Sequence, residues 1–247
     1  MMTTGLVSVT FRKLAPAEVI KIAIRAGLHG IEWGGDVHVP HGDVAAARQV
    51  RKLTEDAGLR VLAYGSYFRC KPVEDFQPVL DAAIALGAPL IRVWAGDRAS
   101  AQADDTWRDA VIAQSQHAVA LAQQAGIAVA YEFHGNTLTD TLPSTLQLLQ
   151  AVPGMKTLWQ PPHDLPPPEQ IAGLLAVLPW LANVHVFHWR PADRARLPLR
   201  EGAALWSVRL AIAASASRDV AALLEFVRDD DVDQLLEDAR TLRDLMT

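Results

Sequence analysis

Three ionisable residues stand where a buried strand should carry only apolar side chains. Glu132 follows the run IAVAY, His185 lies within LANVHVF, and Glu225 follows VAALL. Glu and His are poor strand residues, and burying a charge is costly unless it is paired or bound to a metal. Gln160 ends a further apolar run, LWQ. Two carboxylates, an imidazole and an amide oxygen make a mixed oxygen and nitrogen donor set. Such a set suits Mn²⁺, Mg²⁺, Co²⁺ or Zn²⁺. A cation there would polarise a substrate carbonyl or hydroxyl and stabilise an enediolate. Glu132 and Glu225 would flank the substrate, one removing a carbon-bound proton and the other returning one. A plainer reading stands beside this one: Glu132, His185 and Glu225 could instead form an ion-pair network. Three such groups on three separate strand ends favour a site.

Other polar and aromatic residues gather at the same ends. If Trp94 points inward, alternation along the strand sends Arg92 inward too. A buried Arg92 needs a carboxylate, and Glu32 is the natural partner, in a structural or a catalytic role. Trp33, Trp94, Trp159 and Trp189 fall at or just past strand ends. They would either pack on the apolar face of a sugar or plug the mouth of the fold; Trp33 and Trp94 are the nominated substrate contacts. His38, His41 and His134 sit in or near loops and read as surface or structural histidines. His163 and His188 are nominated for substrate contact. The segment RPADRARLPLREG carries Arg190, Arg194, Arg196 and Arg200. Most of these should face solvent, and Arg190 is nominated to bind an anionic or hydroxyl-rich substrate.

The elements that must position these residues repeat. Helix-like stretches end at Gly27, Gly58, Gly87 and Gly126, and an apolar run follows each at once. Glycine closes a helix by taking the left-handed conformation. The period is roughly 30 residues, that of a βα unit. The strand runs are continuously apolar, as in parallel strands covered on both faces. The pattern predicts strands near 5–10, 29–33, 59–64, 90–94, 127–133, 155–160, 183–188 and 220–226. Helices are predicted near 16–26, 43–57, 74–86, 104–125, 142–151, 168–178, 202–214 and 231–245. Eight βα pairs in 247 residues read as one (β/α)8 TIM barrel, an α/β fold, spanning residues 1–247. A doubly wound open sheet is weakened because no GxGxxG or Walker-type loop follows any strand. The proline-rich QPPHDLPPPEQ, residues 160–170, reads as a stiff rim loop rather than a linker.

Composition narrows the partners. The formal charge of −5 argues against a nucleic-acid partner, which needs a basic stripe. The single cysteine, Cys70, excludes an internal disulfide and a CxxC metal site. It reads as a buried, unreactive thiol. The N-terminal residues do not resemble a signal peptide, and no apolar stretch suits a membrane span. The expected setting is cytoplasmic, with a small-molecule sugar or polyol as partner and no membrane. A homo-oligomer is left open.

The residues resemble the xylose isomerase-like barrel superfamily of sugar isomerases and epimerases. The marks are GIEWGG at 30–35, VAYEFH at 129–134, WQPPH at 159–163, NVHVFHW at 183–189, the LPLREG loop and ALLEF at 222–226. The resemblance covers essentially the whole chain. It implies a divalent metal held by Glu132, Gln160, His185 and Glu225, with the two glutamates as the acid–base pair. His163 matches a histidine that contacts substrate or a second metal. Gln160 departs from the family's Asp, which removes one negative charge. His188 stands where many members have Asp after Lys. The expected activity is a metal-dependent isomerase or epimerase acting on a ketose or related polyol. The alternatives are a lyase that dehydrates a keto-inositol or sugar acid, and a non-catalytic sugar-binding barrel. A DNA-repair endonuclease is disfavoured, because strand four ends in Trp94 and too few His and Asp ligands are present.

Overall fold

The computed structural model describes residues 2–216 and 220–246. Eight parallel strands close into a barrel. They are β1 (Thr3–Val7), β2 (Gly30–Gly34), β3 (Arg60–Gly65), β4 (Leu90–Val93), β5 (Ala128–Glu132), β6 (Lys156–Trp159), β7 (Leu181–Val186) and β10 (Ala221–Leu224). The order around the barrel is β1-β10-β7-β6-β5-β4-β3-β2. A short antiparallel pair, β8 (His188–Trp189) and β9 (Arg196–Leu197), stands apart from it. The helices that cover the wall are α1 (Pro16–Arg25), α2 (Val44–Asp56), α3 (Gln77–Leu86), α4 (Asp105–Gln124), α5 (Leu142–Ala151), α6 (Pro167–Val177), α7 (Ala203–Ala214) and α8 (Val232–Leu245). The single (β/α)8 TIM barrel read from the pattern is therefore the fold.

Helix ends follow local chemistry. Asp43, Asp104 and Asp231 cap α2, α4 and α8 by accepting a backbone N–H from the first turn. Gly87 ends α3 at φ 70°, a conformation costly for a residue with a Cβ. α6 begins on prolines, which lack the N–H that a first turn leaves unused.

Some strand boundaries differ from expectation. β1 stops at Val7, and Ser8–Phe11 form a buried 3-10 turn instead. There the Ser8 hydroxyl accepts from the Gly34 N–H at 2.9 Å and meets His38 Nδ1 at 2.9 Å. The eighth barrel strand, β10, ends at Leu224, and Phe226 takes φ 51°, which no strand can continue.

Alternation gives the barrel wall two faces. Ile31, Trp33, Ile91, Tyr131, Val184 and Leu224 join the large core between strands and helices. Leu62, Leu90, Ala130 and Leu223 belong to two small clusters on the other face. Gly5 and Gly30 leave room for Leu62, since a Cβ on either would come within 2.7 Å of it. One step along from Ile31, Ile91, Tyr131, Val184 and Leu224 stand Glu32, Arg92, Glu132, His185 and Glu225. All five are buried.

Candidate active site

These five residues form a linked polar layer. Arg92 Nε donates to Glu32 Oε1 at 2.9 Å, and Arg92 Nη1 donates to Glu132 Oε2. Trp94 Nε1 also donates to Glu132 Oε2. His185 Nε2 lies 3.3 Å from Glu32 Oε2, and its Nδ1 lies 2.9 Å from Glu225 Oε2. His185 is thus held between two carboxylates. The Glu32–Arg92 pair expected from alternation is present.

Charge follows from these contacts. Burial works against ionising Glu132, but Arg92, then His185 and His134, hold it below the usual carboxylate range. Burial likewise opposes Glu32, and His185 and Arg92 outweigh it. Burial disfavours an imidazolium at His185, yet Glu225 and Glu32 raise it to about 10. The layer thus sets three carboxylates against one guanidinium and one imidazolium.

Above the layer opens a cavity of about 670 Å³, within the range of small-molecule sites. Its lining comes from the loops that follow the strands, as expected at the C-terminal rim of a barrel. Arg92, Glu132, Gln160 and Glu225 line its floor. Tyr67, Trp94 and His134 form one wall: Tyr67 meets Trp94 edge-on at 5.4 Å, and Trp94 stacks on His134 at 4.3 Å. His163, Trp189 and Phe226 form another, His163 lying flat on Trp189 at 4.2 Å. A second depression, of about 310 Å³, lies beside α2 and α3. It is lined by Arg48 and by Arg51 and Lys52, which pair along α2 with Glu55 and Asp56.

The nominated residues divide. Glu132, Gln160, Glu225, Trp94 and His163 line the cavity, and His185 sits beneath it between two carboxylates. Trp33 does not reach it. Glu32 faces inward, so its neighbour faces α2, where Trp33 Nε1 donates to the Thr54 hydroxyl at 3.2 Å. His188 also falls outside the lining: its ring packs on Gly202, where a Cβ would come within 2.6 Å of Nδ1. Arg190 is exposed and bonded twice to Asp193 at 2.9 Å, while Arg194 of the same loop lines the cavity. His134, read as a surface or structural histidine, is a wall residue. Trp159 packs outward against Trp206.

Tyr67 and Arg12 went unforeseen. Arg12 Nη2 donates to the Tyr67 hydroxyl at 2.6 Å, and the Tyr67 ring faces the Arg92 guanidinium at 4.8 Å. Tyr67 takes φ 58° just past β3. No periodicity signals a residue whose position depends on such a turn.

Glu132, Gln160, His185 and Glu225 are the donors a metal would meet. Gln160 Nε2 donates to Glu132 Oε1 at 3.1 Å and to the Phe133 carbonyl at 2.7 Å. This leaves Gln160 Oε1 a buried acceptor with no partner, which such sites seldom tolerate. His185 Nδ1 and Glu225 Oε2 face each other at 2.9 Å. Glu32 lies beside His185 Nε2, as a carboxylate that orients a ligating imidazole would. The chemistry fits a divalent cation. The spacing is not that of a finished cage: among the described residues, no three His, Cys, Asp or Glu side chains are arrayed to hold a metal ion. Arg92 and Trp94 hold Glu132 by its Oε2, and an amide stands at position 160.

Comparison with known proteins agrees with the architecture. Residues 20–245 match the family model described as xylose isomerase-like TIM barrel. A 3-dehydroshikimate dehydratase from Bacillus anthracis is 25% identical over 211 residues, which cover 78% of this chain and 74% of that protein. The crystal structure of the probable 3-DHS dehydratase involved in petrobactin synthesis in that organism superposes with a TM-score of 0.81. It is 22% identical, with 98% of this chain and 99% of that one covered. The D-allulose 3-epimerase from Methylomonas sp. superposes at 0.75, with 16% identity and coverage of 100% and 98%. No helix of the described residues is long and apolar enough to cross a membrane. The chain belongs to the xylose isomerase-like TIM barrel family.

Proposed function

We propose that this protein is a lyase that removes water from a small hydroxylated keto acid, with 3-dehydroshikimate as the first substrate to test. The observation that carries this reading is the cavity floor, which presents two carboxylates, Glu132 held by Arg92 and Glu225 beside His185. Two carboxylates can share proton transfers at neighbouring carbons. The two carboxylates rather than Arg92 carry this reading, since the guanidinium is already paired with Glu32 and Glu132. The Bacillus anthracis relative, whose name specifies this dehydration, supports the lyase over the isomerase first expected from sequence.

In the proposed reaction one glutamate removes a proton from the carbon next to the ketone. The electron pair forms a carbon–carbon double bond as the hydroxyl on the next carbon departs. The other glutamate, in its acid form, gives that hydroxyl a proton, so it leaves as water. A divalent cation held by Glu132, Gln160, His185 and Glu225 would supply Lewis-acid polarisation of the ketone. The Tyr67–Trp94 and His163–Trp189 walls would hold a flat ring between them and exclude water. Arg12 and Arg194, also in the lining, are paired with Asp36 and Asp164.

The test is direct. Purified protein supplied in turn with Mn²⁺, Mg²⁺, Co²⁺ and Zn²⁺ is incubated with 3-dehydroshikimate, and the aromatic dihydroxybenzoate product is followed by its absorbance. Turnover to that product supports the reading. Solvent-deuterium exchange into D-allulose or another ketose, without loss of water and with no turnover of 3-dehydroshikimate, would return the protein to the epimerase class.

A further inference from the structure

Arg209 of α7 is only 5% exposed, yet among the described residues it meets no carboxylate. Its Nη2 donates to Gln170 Oε1, and its Nε is buried without a partner. The guanidinium spreads over Trp206 at 4.9 Å and Trp159 at 5.8 Å. Burial draws its pKa down to about 10. A buried cation whose polar partner is an amide is a poor way to gain stability. Its position makes sense through what the amide does next.

Gln170, in the first turns of α6, is 8% exposed. Its Nε2 donates to the Pro162 carbonyl and to the Leu165 carbonyl, both at 2.8 Å. Those carbonyls bracket His163, which lies on Trp189 with ring planes 8° apart. α7 reaches the other half of that stack as well. Trp206, one turn before Arg209, donates Nε1 to the Phe187 carbonyl at 2.8 Å, immediately before β8 and Trp189. A primary amide can present either its oxygen or its nitrogen to a neighbour. Arg209 can only donate. It therefore fixes Gln170 Oε1 on its own side and commits both amide hydrogens to the loop.

We propose that Arg209 and Gln170 form a buried clamp that fixes His163 over the cavity, so that α7 positions a wall residue that it does not touch. Arg209 is a positioning residue; it has no contact with the reacting atoms. The consequence for catalysis rests on the lyase reading, but the clamp itself does not.

Two variants separate the clamp from simple packing. Arg209→Met removes the donor that orients the amide. Gln170→Glu keeps, and strengthens, the bond to Arg209 but has no N–H for the two loop carbonyls. The His163 ring protons, assigned against His163→Asn, are read by NMR, because the Trp189 ring shields them in the stack. In both variants they are expected to move downfield as the stack opens. A carboxylate oxygen would face two carbonyl oxygens there, so Gln170→Glu is expected to lower the melting temperature, and the ring shifts rather than stability report the clamp. With 3-dehydroshikimate, KM is expected to rise about tenfold in both variants while kcat stays within about twofold, the pattern of lost substrate positioning. Unchanged His163 shifts in both variants would overturn the clamp, as would shifts that move in Gln170→Glu but not in Arg209→Met. If the wild type does not turn over 3-dehydroshikimate, the lyase reading fails alone, and the ring shifts still decide the clamp.

Discussion

The Nε of Arg92 lies 2.9 Å from Oε1 of Glu32, and both side chains are sealed from solvent. The same guanidinium donates from Nη1 to Glu132. One cation thus joins a carboxylate that does not line the cavity to one that does. Removing one partner of such a pair leaves uncompensated buried charge, which costs about 3–5 kcal/mol. Arg92→Met should lower stability by about that much. Adding Glu32→Gln to it should restore at least about 1 kcal/mol, since contacting residues couple. Urea unfolding of the two single variants and the double variant measures this. Additive losses would show that the pair is not coupled.

Gly65 is part of the same device. A Cβ there would come 2.5 Å from Arg92 Nη2 and 2.9 Å from Glu32 Oε1. Gly65→Ala should displace the guanidinium and cost about 1–3 kcal/mol, the usual range for overpacking. In an Arg92→Met background the nearer obstruction is gone and only Glu32 Oε1 remains, so the cost of Gly65→Ala should shrink. An equal cost in both backgrounds would place the strain elsewhere.

How much of this was legible in the sequence depended on the range of the interaction. Helix ends and strand order were readable, because caps such as Asp104 and Gly87 act on their own neighbours. The inward set was readable wherever alternation could be counted from one charged residue, which is how Arg92 found Glu32. The same counting should have turned Trp33 outward, since it adjoins Glu32; its place at a strand end masked this. Tyr67 was not readable. Its partner Arg12 lies 55 residues earlier, and its backbone leaves the strand at φ 58°. His188 and Arg190 were misplaced because the chain forms the β8–β9 pair there, which directs Arg194 rather than Arg190 to the cavity.

Glu132 and Glu225 should be separable from the residues that only bind. Glu132→Gln and Glu225→Gln each keep the side-chain volume and remove the proton acceptor. Each should lower kcat for 3-dehydroshikimate by about 10²–10⁴-fold, the scale of general acid–base catalysis. Substrate affinity, measured by calorimetry, should change far less. A variant that retains more than about a tenth of wild-type kcat would remove that glutamate from proton transfer.

Gln160 sets the charge of the donor set. Its amide gives no negative charge, and its Nε2 is committed to Glu132 and Phe133. Gln160→Asp should tighten Mn²⁺ binding by about 10–100-fold, because a carboxylate is the stronger ligand for a hard cation. Binding should release a proton from His185, whose Nδ1 must be bare to ligate. Titration calorimetry in buffers of different ionisation enthalpy reads both effects. Equal Mn²⁺ affinity in wild type and variant would mean that position 160 does not ligate the cation.

Asp238 predicts a pH dependence away from the cavity. This α8 residue is 4% exposed, and its Oδ1 accepts from the Leu199 N–H and from Gln234 Nε2, both at 2.9 Å. Burial raises its pKa to about 6 from 3.8, outweighing those two hydrogen bonds. The folded state therefore holds the proton more tightly than the unfolded chain does. That contribution is fully present below pH 3.8 and is lost as pH rises through about 6. Above that point folding carries a buried charge. Asp238→Asn removes the charge and keeps an oxygen that can accept both bonds. It should stabilise the protein at pH 8 by on the order of 1–3 kcal/mol and leave it nearly unchanged at pH 4. Denaturant unfolding at the two pH values checks this, because unrelated titrations cancel between wild type and variant. A stability difference that is the same at both values would show that Asp238 does not titrate between them.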